Sequence, residues 1–432
     1  MKVIINKIII ILFFKLSIYC QNNLENFEVN RLKSNECDFD CESSMADNSI
    51  IFTNFIFDSM KIKVKILVKE KGIIKISDEI YFKFNKNITI SNDTLALILA
   101  ICAKIKYNFI YIDLVITKRI FEEINKYTYG EIRVKNVIEN SNPIKKKKKK
   151  IIINFSGGLD SLSLLSLLPK DSYTLVSVLW DGYIREKNFF IKFNPYIVET
   201  NFRKFIDENK IWEFMGISSL FYNEIINAKY QTWGSIFECC VSSASYKFAG
   251  LKSFISHPFD IMGINDIKLV HGLTEIGTAL IVLKDHPFLV NESLISLAPE
   301  NSNKRLRKNL IVKILIRKYN LNNVYLGFDE IEEPKNKIKW GNFADDFLTF
   351  WIIKNMGYEE TSKYISNIPH DISEIIESNY LTFYEKFNTN FLNNIPIQFK
   401  SKILENIIRL NIEFYDEMIL FYKKNGRNIL IN

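Results

Sequence analysis

The segment IIINFSGGLDSLSLLSLL, residues 151–168, decides how this chain is read. Ile151 to Phe155 form an unbroken apolar run, the pattern of a parallel strand buried on both faces. SLSLLSLL (161–168) reads as an apolar helix. Between them lies Ser156-Gly157-Gly158-Leu159-Asp160-Ser161. The glycines let the backbone turn sharply and come close to a ligand. Successive N–H groups at such a turn form an anion-binding concavity. The following helix start adds free donors and partial positive charge. Ser156 and Ser161 offer hydroxyls to phosphate oxygens. Asp160 would repel a polyphosphate unless a magnesium ion lies between them. These residues point to a nucleoside triphosphate with its metal. The loop is neither GxxxxGK[ST] nor GxGxxG, so the Walker A and dinucleotide readings do not apply.

Working outward, TLVSVLW (174–180), YIVET (196–200) and KLVHG (268–272) read as further strands. Strands alternating with helices predict a parallel sheet. Toward the N-terminus, KIKVKILV (61–68), IYFKF (80–84) and FIYIDLVI (109–116) are strand-like. Ser91-Asn92-Asp93 caps an apolar helix over 94–105, and TKRIFEEINKY (117–127) is an amphipathic helix. Beyond residue 300 the pattern is mostly helical, ending in SKILENIIRLNIEFYDEMILFYKK (401–424). The expected fold is α/β: a parallel, doubly wound sheet over 151–325. A small α+β domain over 50–140 precedes it, and a helical C-terminal region over 326–432 follows. Residues 141–150 read as a lysine-rich linker, and 1–49 as a leader or poorly ordered segment.

The chain has 432 residues, and at roughly 150 residues per domain this predicts two or three domains. With 47% apolar and 25% charged residues it is neither mostly disordered nor fibrous. Six cysteines and four histidines exclude a disulfide scaffold and disfavour a large His-based metal centre. Cys37 and Cys41 are a weak metal signal, and the adjacent Cys239-Cys240 pair is poorly spaced for zinc. Glycine is scarce, at 15 residues, which makes the pair in the loop informative. The net charge is +8, and much of it lies in the run Lys145 to Lys150. That run reads as a solvated linker before a nucleic-acid patch, because no aromatic residues interleave with it. The leader's uncharged apolar core, Ile8 to Phe14, is shorter than the roughly 20 residues of a membrane span. It has the outline of a signal peptide, but Lys15 interrupts it and no small-x-small site follows. A dispensable leader with Met45 as an internal start is the favoured reading, with no stable membrane span.

The SGGxDS pattern at 156–161 resembles the PP-loop of the ATP pyrophosphatase superfamily at every fixed position. The resemblance implies an adenine nucleotide alpha hydrolase-like fold, ATP and Mg2+. In such enzymes a carboxylate or carbonyl oxygen attacks the α phosphorus, pyrophosphate leaves, and a nucleophile displaces AMP. Ser156, Gly157, Gly158, Leu159, Asp160 and Ser161 would hold the nucleotide, with Asp160 as metal ligand and catalytic residue. The residues after the second and third strands usually line the nucleotide, here Trp180-Asp181 and Glu199-Thr200-Asn201. Asp181 and Asn201 are therefore candidates, with a helix N-cap as the alternative for each. After KLV, the segment His271-Gly272-Leu273-Thr274-Glu275 supplies His271 and Gly272 for the nucleotide and Glu275 for catalysis. The alternative is local helix capping by Thr274 and Thr278.

The stretch from His286 to Tyr319 resembles the synthetase domain of asparagine synthetases and β-lactam synthetases. His286-Pro287-Phe288-Leu289 match, while Val290 stands where the family has Asp. Lys308 matches the lysine that contacts the phosphates, with Lys304 as the alternative. A second His-Pro-Phe, at His257 to Phe259, shows that the tripeptide is not diagnostic. Residue 2 is Lys, not the catalytic Cys of a glutaminase domain. Nitrogen would then come from ammonia, another amine or a partner glutaminase. The 7-cyano-7-deazaguanine synthases are also similar, but their C-terminal cysteine cluster is missing after Cys240. The expected function is ATP-dependent, AMP-forming amide synthesis on a small-molecule or peptide substrate, in the cytoplasm. Nucleobase modification by thiolation or nitrile formation, and a non-catalytic ATP-binding module, are the alternatives. Asp345-Asp346 reads as part of an ordinary half-exposed helix.

Overall fold

Ile151 and Ile153 face one side of the central sheet and Ile152 the other, and all three are fully buried. That follows from the period-two alternation of a strand with helices on both faces. The computed structural model describes residues 48–139, 148–181, 184–206, 213–240, 257–328, 330–341, 343–369, 372, 376, 379–416, 420–424 and 427–431. The leader through residue 47, Cys37, Cys41 and Lys145 to Lys147 lie outside the described residues.

The sheet has ten strands. They are β1 (Asn48–Asp58), β2 (Lys61–Glu70), β3 (Ile73–Phe84), β4 (Phe109–Thr117) and β5 (Glu131–Ile138), then β6 (Lys148–Asn154), β7 (Tyr173–Trp180), β8 (Tyr196–Thr200), β9 (Ala228–Thr232) and β10 (Asn265–Asp266). Their spatial order is β10-β9-β6-β7-β8-β3-β2-β1-β4-β5. The helices are α1 (Asn92–Ala103), α2 (Lys118–Tyr127), α3 (Leu159–Leu167), α4 (Ile217–Ile226), α5 (Glu275–Asp285), α6 (Val290–Leu297), α7 (Asn303–Tyr319), α8 (Phe343–Met356) and α9 (Ile397–Arg409), with shorter turns between. The fold is α/β, with a large, mostly parallel sheet flanked by helices.

From β10 through β9, β6 and β7 to β8, neighbouring strands run parallel. The chain leaves β6 through α3 to reach β7 and β8 on one side. It then crosses by α4 to β9 and β10 on the other. The strand order thus reverses between β6 and β9. Open α/β sheets gather ligands outside the carboxyl ends of the strands at such a point. One core packs α3, α5, α6, α7, α8 and α9 against Ile151 and Ile153. The other packs α1, α2 and α4 against Ile152, Val176, Val178 and Val198. Each fully buried Leu or Ile contributes about 1.5–3 kcal/mol.

The N-terminal strands join this sheet through β3 and β8, which pair antiparallel, Phe82 opposite Thr200 and Phe84 opposite Val198. Asn201 extends the seam by one step. Its Oδ1 accepts the Tyr81 N–H at 3.0 Å and its Nδ2 donates to the Glu79 carbonyl at 2.9 Å. In β2, Ile62, Val64, Ile66 and Val68 face the core, while Lys61, Lys63, Lys65 and Lys69 take the opposite face. Ser91 caps α1 as expected, accepting from the Thr94 N–H at 3.2 Å.

Two expectations are corrected. KLVHG is not a strand. It forms turns, with the Leu273 N–H donating to the Val270 carbonyl at 2.9 Å. The fourth parallel strand is β9, AKYQT, whose buried Gln231 accepts from Asn154 Nδ2 at 3.3 Å. A polar pair bonded inside the sheet hides the strand from an apolar-run rule. The chain end is also not one helix. α9 ends at Arg409, and Asn411 takes a left-handed conformation with φ 50°, a common helix stop. Phe414–Tyr415 then pairs with Phe387–Asn388, and Leu420–Lys424 pairs antiparallel with Arg427–Ile431. Among the described residues no helix is long and apolar enough to cross a membrane.

Candidate functional site

The SGGLDS loop leaves β6 and enters α3 at the reversal of strand order. Gly157 sits at φ +75°, which side-chain-bearing residues rarely adopt. A Cβ there would lie 2.6 Å from the Phe189 ring. Its carbonyl accepts from Ser293 Oγ at 2.6 Å, tying the turn to α6. Ser156 Oγ accepts the Gly158 N–H at 3.4 Å and lies 3.2 Å from Ser161 Oγ. Ser161 Oγ in turn donates to the Gly158 carbonyl at 3.0 Å. The two hydroxyls therefore shape the turn and sit side by side at its mouth. Leu159 is buried in the core beneath it.

Asp160 stands in the first turn of α3, and three distant segments converge on it. Thr278, on α5, donates its hydroxyl to Oδ1 at 2.7 Å. Lys308, on α7, places Nζ 3.2 Å from Oδ2. Gly234, just past β9, packs so closely that a Cβ would lie 2.6 Å from the Asp160 carbonyl carbon and the Ser161 nitrogen. Both contacts are with backbone, so neither side can give cheaply.

Lys308 also lies 3.4 Å from Glu275 Oε1, and Arg307 Nη2 lies 3.3 Å from Glu275 Oε2. Arg307 reaches on to pair with Asp345. This makes a chain of alternating charge: Asp160, Lys308, Glu275, Arg307, Asp345. Lys308 is 2% exposed. Burial disfavours its charge, but the Asp160 and Glu275 carboxylates outweigh that and raise its pKa. Burial likewise works against ionised Glu275, and Lys308 and Arg307 reverse the balance and hold its pKa low. The cluster is charged on both sides, and each charge depends on its neighbour.

Glu238 flanks it. Its Oε1 accepts the Glu275 N–H at 2.9 Å at the start of α5. Its Oε2 is buried and has no hydrogen-bond partner among the described residues. Burial pushes this carboxyl up to about 8; the Glu275 N–H opposes that, and the Glu275 carboxylate adds to it.

The loop residues, Lys308 and Glu275 are thus brought together. Lys304, one turn before Lys308, interacts electrostatically with Asp160 and Glu275. The other candidates lie elsewhere. Asn201 spends its amide on β3 rather than on a helix cap or the loop. Asp181 accepts the Tyr81 hydroxyl at 2.8 Å near that seam. His271 packs edge-on against Phe391, and Gly272 backs onto Phe387 and Asn388. Burial, and then Lys268, lower His271 to about 3, so its imidazole is neutral at pH 7. His286 to Leu289 form the turn between α5 and α6, where His286 Nε2 lies 3.4 Å from Asp285 Oδ2. Cys239 is exposed and not disulfide-bonded.

Thr274 caps α5, accepting from the N–H groups of Ile276 and Gly277. The sequence also offered Thr278 only as a cap, yet it grips Asp160. Asp345 and Asp346 are corrected from an ordinary half-exposed helix. Asp345 pairs with Arg307, and Asp346 is fully buried and accepts the Gly341 N–H at 2.8 Å. Gly234, Glu238 and Arg307 were missed. The scarcity of glycine was a signal for Gly234, while Glu238 and Arg307 left no local mark.

Asp160 fits a magnesium ligand by its donor set. A carboxylate offers about four lone-pair sites, and Thr278 and Lys308 engage one on each oxygen. Among the described residues no group of three or more His, Cys, Asp or Glu is arranged to hold a metal ion. A metal here would take most of its shell from phosphate and water, the usual habit of magnesium. Comparison of the chain with family models, curated proteins and solved structures finds no match to any of them.

Proposed function

We infer that this chain is an ATP-dependent, AMP-forming enzyme of the PP-loop type, with an adenine nucleotide alpha hydrolase-like core. It would adenylate a carboxylate or carbonyl oxygen, release pyrophosphate, and pass the acyl group to a nitrogen nucleophile. The observation that carries this reading is the meeting of Lys308 with Asp160 of the SGGLDS loop at the reversal of the sheet.

In this reading the N–H groups at the start of α3 would receive the pyrophosphate as negative charge grows on it, with the Ser156 and Ser161 hydroxyls exchanging their bonds within the turn for phosphate oxygens. Lys308 is held charged by Asp160 and Glu275, so it is ready to turn toward an incoming phosphate. Glu275, itself paired with Arg307, keeps the lysine positioned. Thr278 fixes the Asp160 rotamer. Asp160 would hold magnesium, which would supply charge stabilisation for the phosphates. Nitrogen would come from ammonia or a partner glutaminase, and ATP use argues for a cytoplasmic setting.

The test is to incubate the protein with Mg2+, ATP and candidate carboxylates and identify the products. AMP and pyrophosphate are expected, and Asp160→Asn should lower their formation about a hundredfold or more. ADP and phosphate would sink the reading. Nucleotide binding with no turnover by any candidate would favour a non-catalytic ATP-binding module.

A further inference from the structure

The hairpin that joins β2 to β3 ends in apolar side chains that the core does not use. Lys71 (φ 49°) and Gly72 (φ 76°) make a tight two-residue turn. Just past it, Ile73 and Ile74 are 63% and 55% exposed, and Ile76 is exposed too. Val68, opposite Ile76, is the last core residue of β2. Beyond it Lys69 stands opposite Ile74 and Glu70 opposite Ile73. Lys71 and Lys75 flank the isoleucine pair in sequence.

Other turns share this end of the sheet. Glu70 also pairs with Asn48, where β1 begins. The Asn48 carbonyl accepts the Asn108 N–H at 2.9 Å, and its Nδ2 donates to the Lys106 carbonyl at 2.7 Å. The Asn108 carbonyl in turn accepts the Glu131 N–H at 2.8 Å, which sets the Tyr129-Gly130 turn alongside. Tyr129 is 79% exposed. The end therefore presents Ile73, Ile74 and Tyr129 among Lys69, Lys71, Lys75 and Lys106. Against these lysines stand Glu70 and a Glu131 already paired with Arg133 at 2.9 Å. The segment that precedes β1, with Ile8 to Phe14 between Lys7 and Lys15, joins the fold at this same end.

We propose that this end of the sheet docks on an anionic lipid surface. Ile73 and Ile74 enter the apolar side of the interface, Tyr129 lies at headgroup level, and the lysines meet the lipid phosphates. Adjacent exposed apolar side chains mark a contact surface. Tyrosine and lysine are the residues that settle where apolar chains meet water, and basic residues there are drawn to anionic lipid. A soluble polyanion would use the lysines and leave the isoleucines in water. An apolar protein groove would take the isoleucines and leave the lysines without a role. A lipid surface uses both. The attachment lies on the membrane and does not cross it. The proposal does not rest on the ATP reading.

The experiment is flotation of the full-length protein with phosphatidylcholine vesicles, with and without phosphatidylserine, across a salt series. Binding is expected on the vesicles that contain phosphatidylserine, and it should weaken as salt rises. Ile73→Ser with Ile74→Ser should weaken it about tenfold or more. Lys71→Gln and Lys75→Gln should each cost about fivefold at low salt. Lys400→Gln with Lys402→Gln, on α9, should leave binding unchanged. A reporter, Ile74→Trp, should add emission that shifts to the blue on vesicles and is quenched by brominated lipid. It reads the tip directly, and decides the matter if the serine pair does not fold. The proposal is overturned by no vesicle binding at low salt, by an unquenched reporter, or by an equal loss in the α9 control. Undiminished binding by the serine pair overturns it too, because the leader or another surface would then hold the lipid. So does a dimer that needs Ile73 and Ile74 and forms without any vesicle binding, since a second copy would then cover the tip. None of these readouts uses ATP, so a failure here leaves the proposed reaction standing, and the reverse.

Discussion

The two ends of the ten-stranded sheet solve the same problem differently. The β6 end buries both faces, so its buried strand residues are mostly apolar, with Asn154, Ser177, Gln231 and Thr232 as exceptions, and its charged chemistry lies at the carboxyl edge. The β2 end buries one face, and its chemistry lies along the strands. An active site formed by converging loops is the natural product of the first arrangement. The second leaves a face of lysines and carboxylates open to solvent. The seam at β3 and β8, with Asn201 as its last stitch, lets one hydrogen-bonded sheet hold both.

The sharpest way to break this contrast is at Lys308. Lys308→Ala removes the cation shared by half-buried Asp160 and buried Glu275, leaving Glu275 with Arg307 alone, and should cost about 3 kcal/mol in urea unfolding while abolishing pyrophosphate release. Asn201→Ala strands the Tyr81 N–H and the Glu79 carbonyl at the seam. Denaturant curves should show a loss of about 1–3 kcal/mol, with the two ends beginning to unfold separately. Gly234→Ala forces a Cβ against the Asp160 backbone and should cost a similar 1–3 kcal/mol, with weakened ATP binding. At the smallest end, Lys63→Ala should change stability by only about 0.2–1 kcal/mol. A larger loss in thermal melts would mean that the Lys63–Glu79 pair holds the strands together more than a surface pair should.

Glu238 gives a pH test of the parallel end. Its folded pKa, about 8, lies above the ordinary glutamate value. From the ordinary range up to about pH 8 the folded state therefore holds a proton that the unfolded chain has released. Stability must then fall as pH rises across that window. Glu238→Gln, which cannot ionise, should match wild type near pH 5 and exceed it in thermal stability at pH 8. A parallel decline in both proteins would show that the carboxyl is not the cause.

The sequence made the loop and its flanking strands legible, because a buried parallel strand and a glycine turn leave local marks. It hid β9, because Asn154 donates to Gln231 inside the sheet and no local rule expects a polar strand there. The same limit applied at the site. Asp160 could be named from its own hexapeptide, and Lys308 through a family resemblance. Thr278 could not, because its bond to Asp160 spans 118 residues and exists only once α5 has packed on α3. Asn201 was placed correctly at the end of a strand, but its bonds to Tyr81 and Glu79 were not foreseen. Nothing near it in sequence reveals that β3 lies alongside.

The continuous sheet sets a limit on how the chain can be divided. A break in the lysine-rich stretch before β6 looks convenient, but it would remove β3 and leave β8 with a row of unpaired N–H and C=O groups. The apolar side of α4 that packs with α1 would be bared as well. An open edge of that kind recruits other chains. A shortened protein beginning near residue 148 should therefore aggregate, although it keeps every residue of the SGGLDS loop.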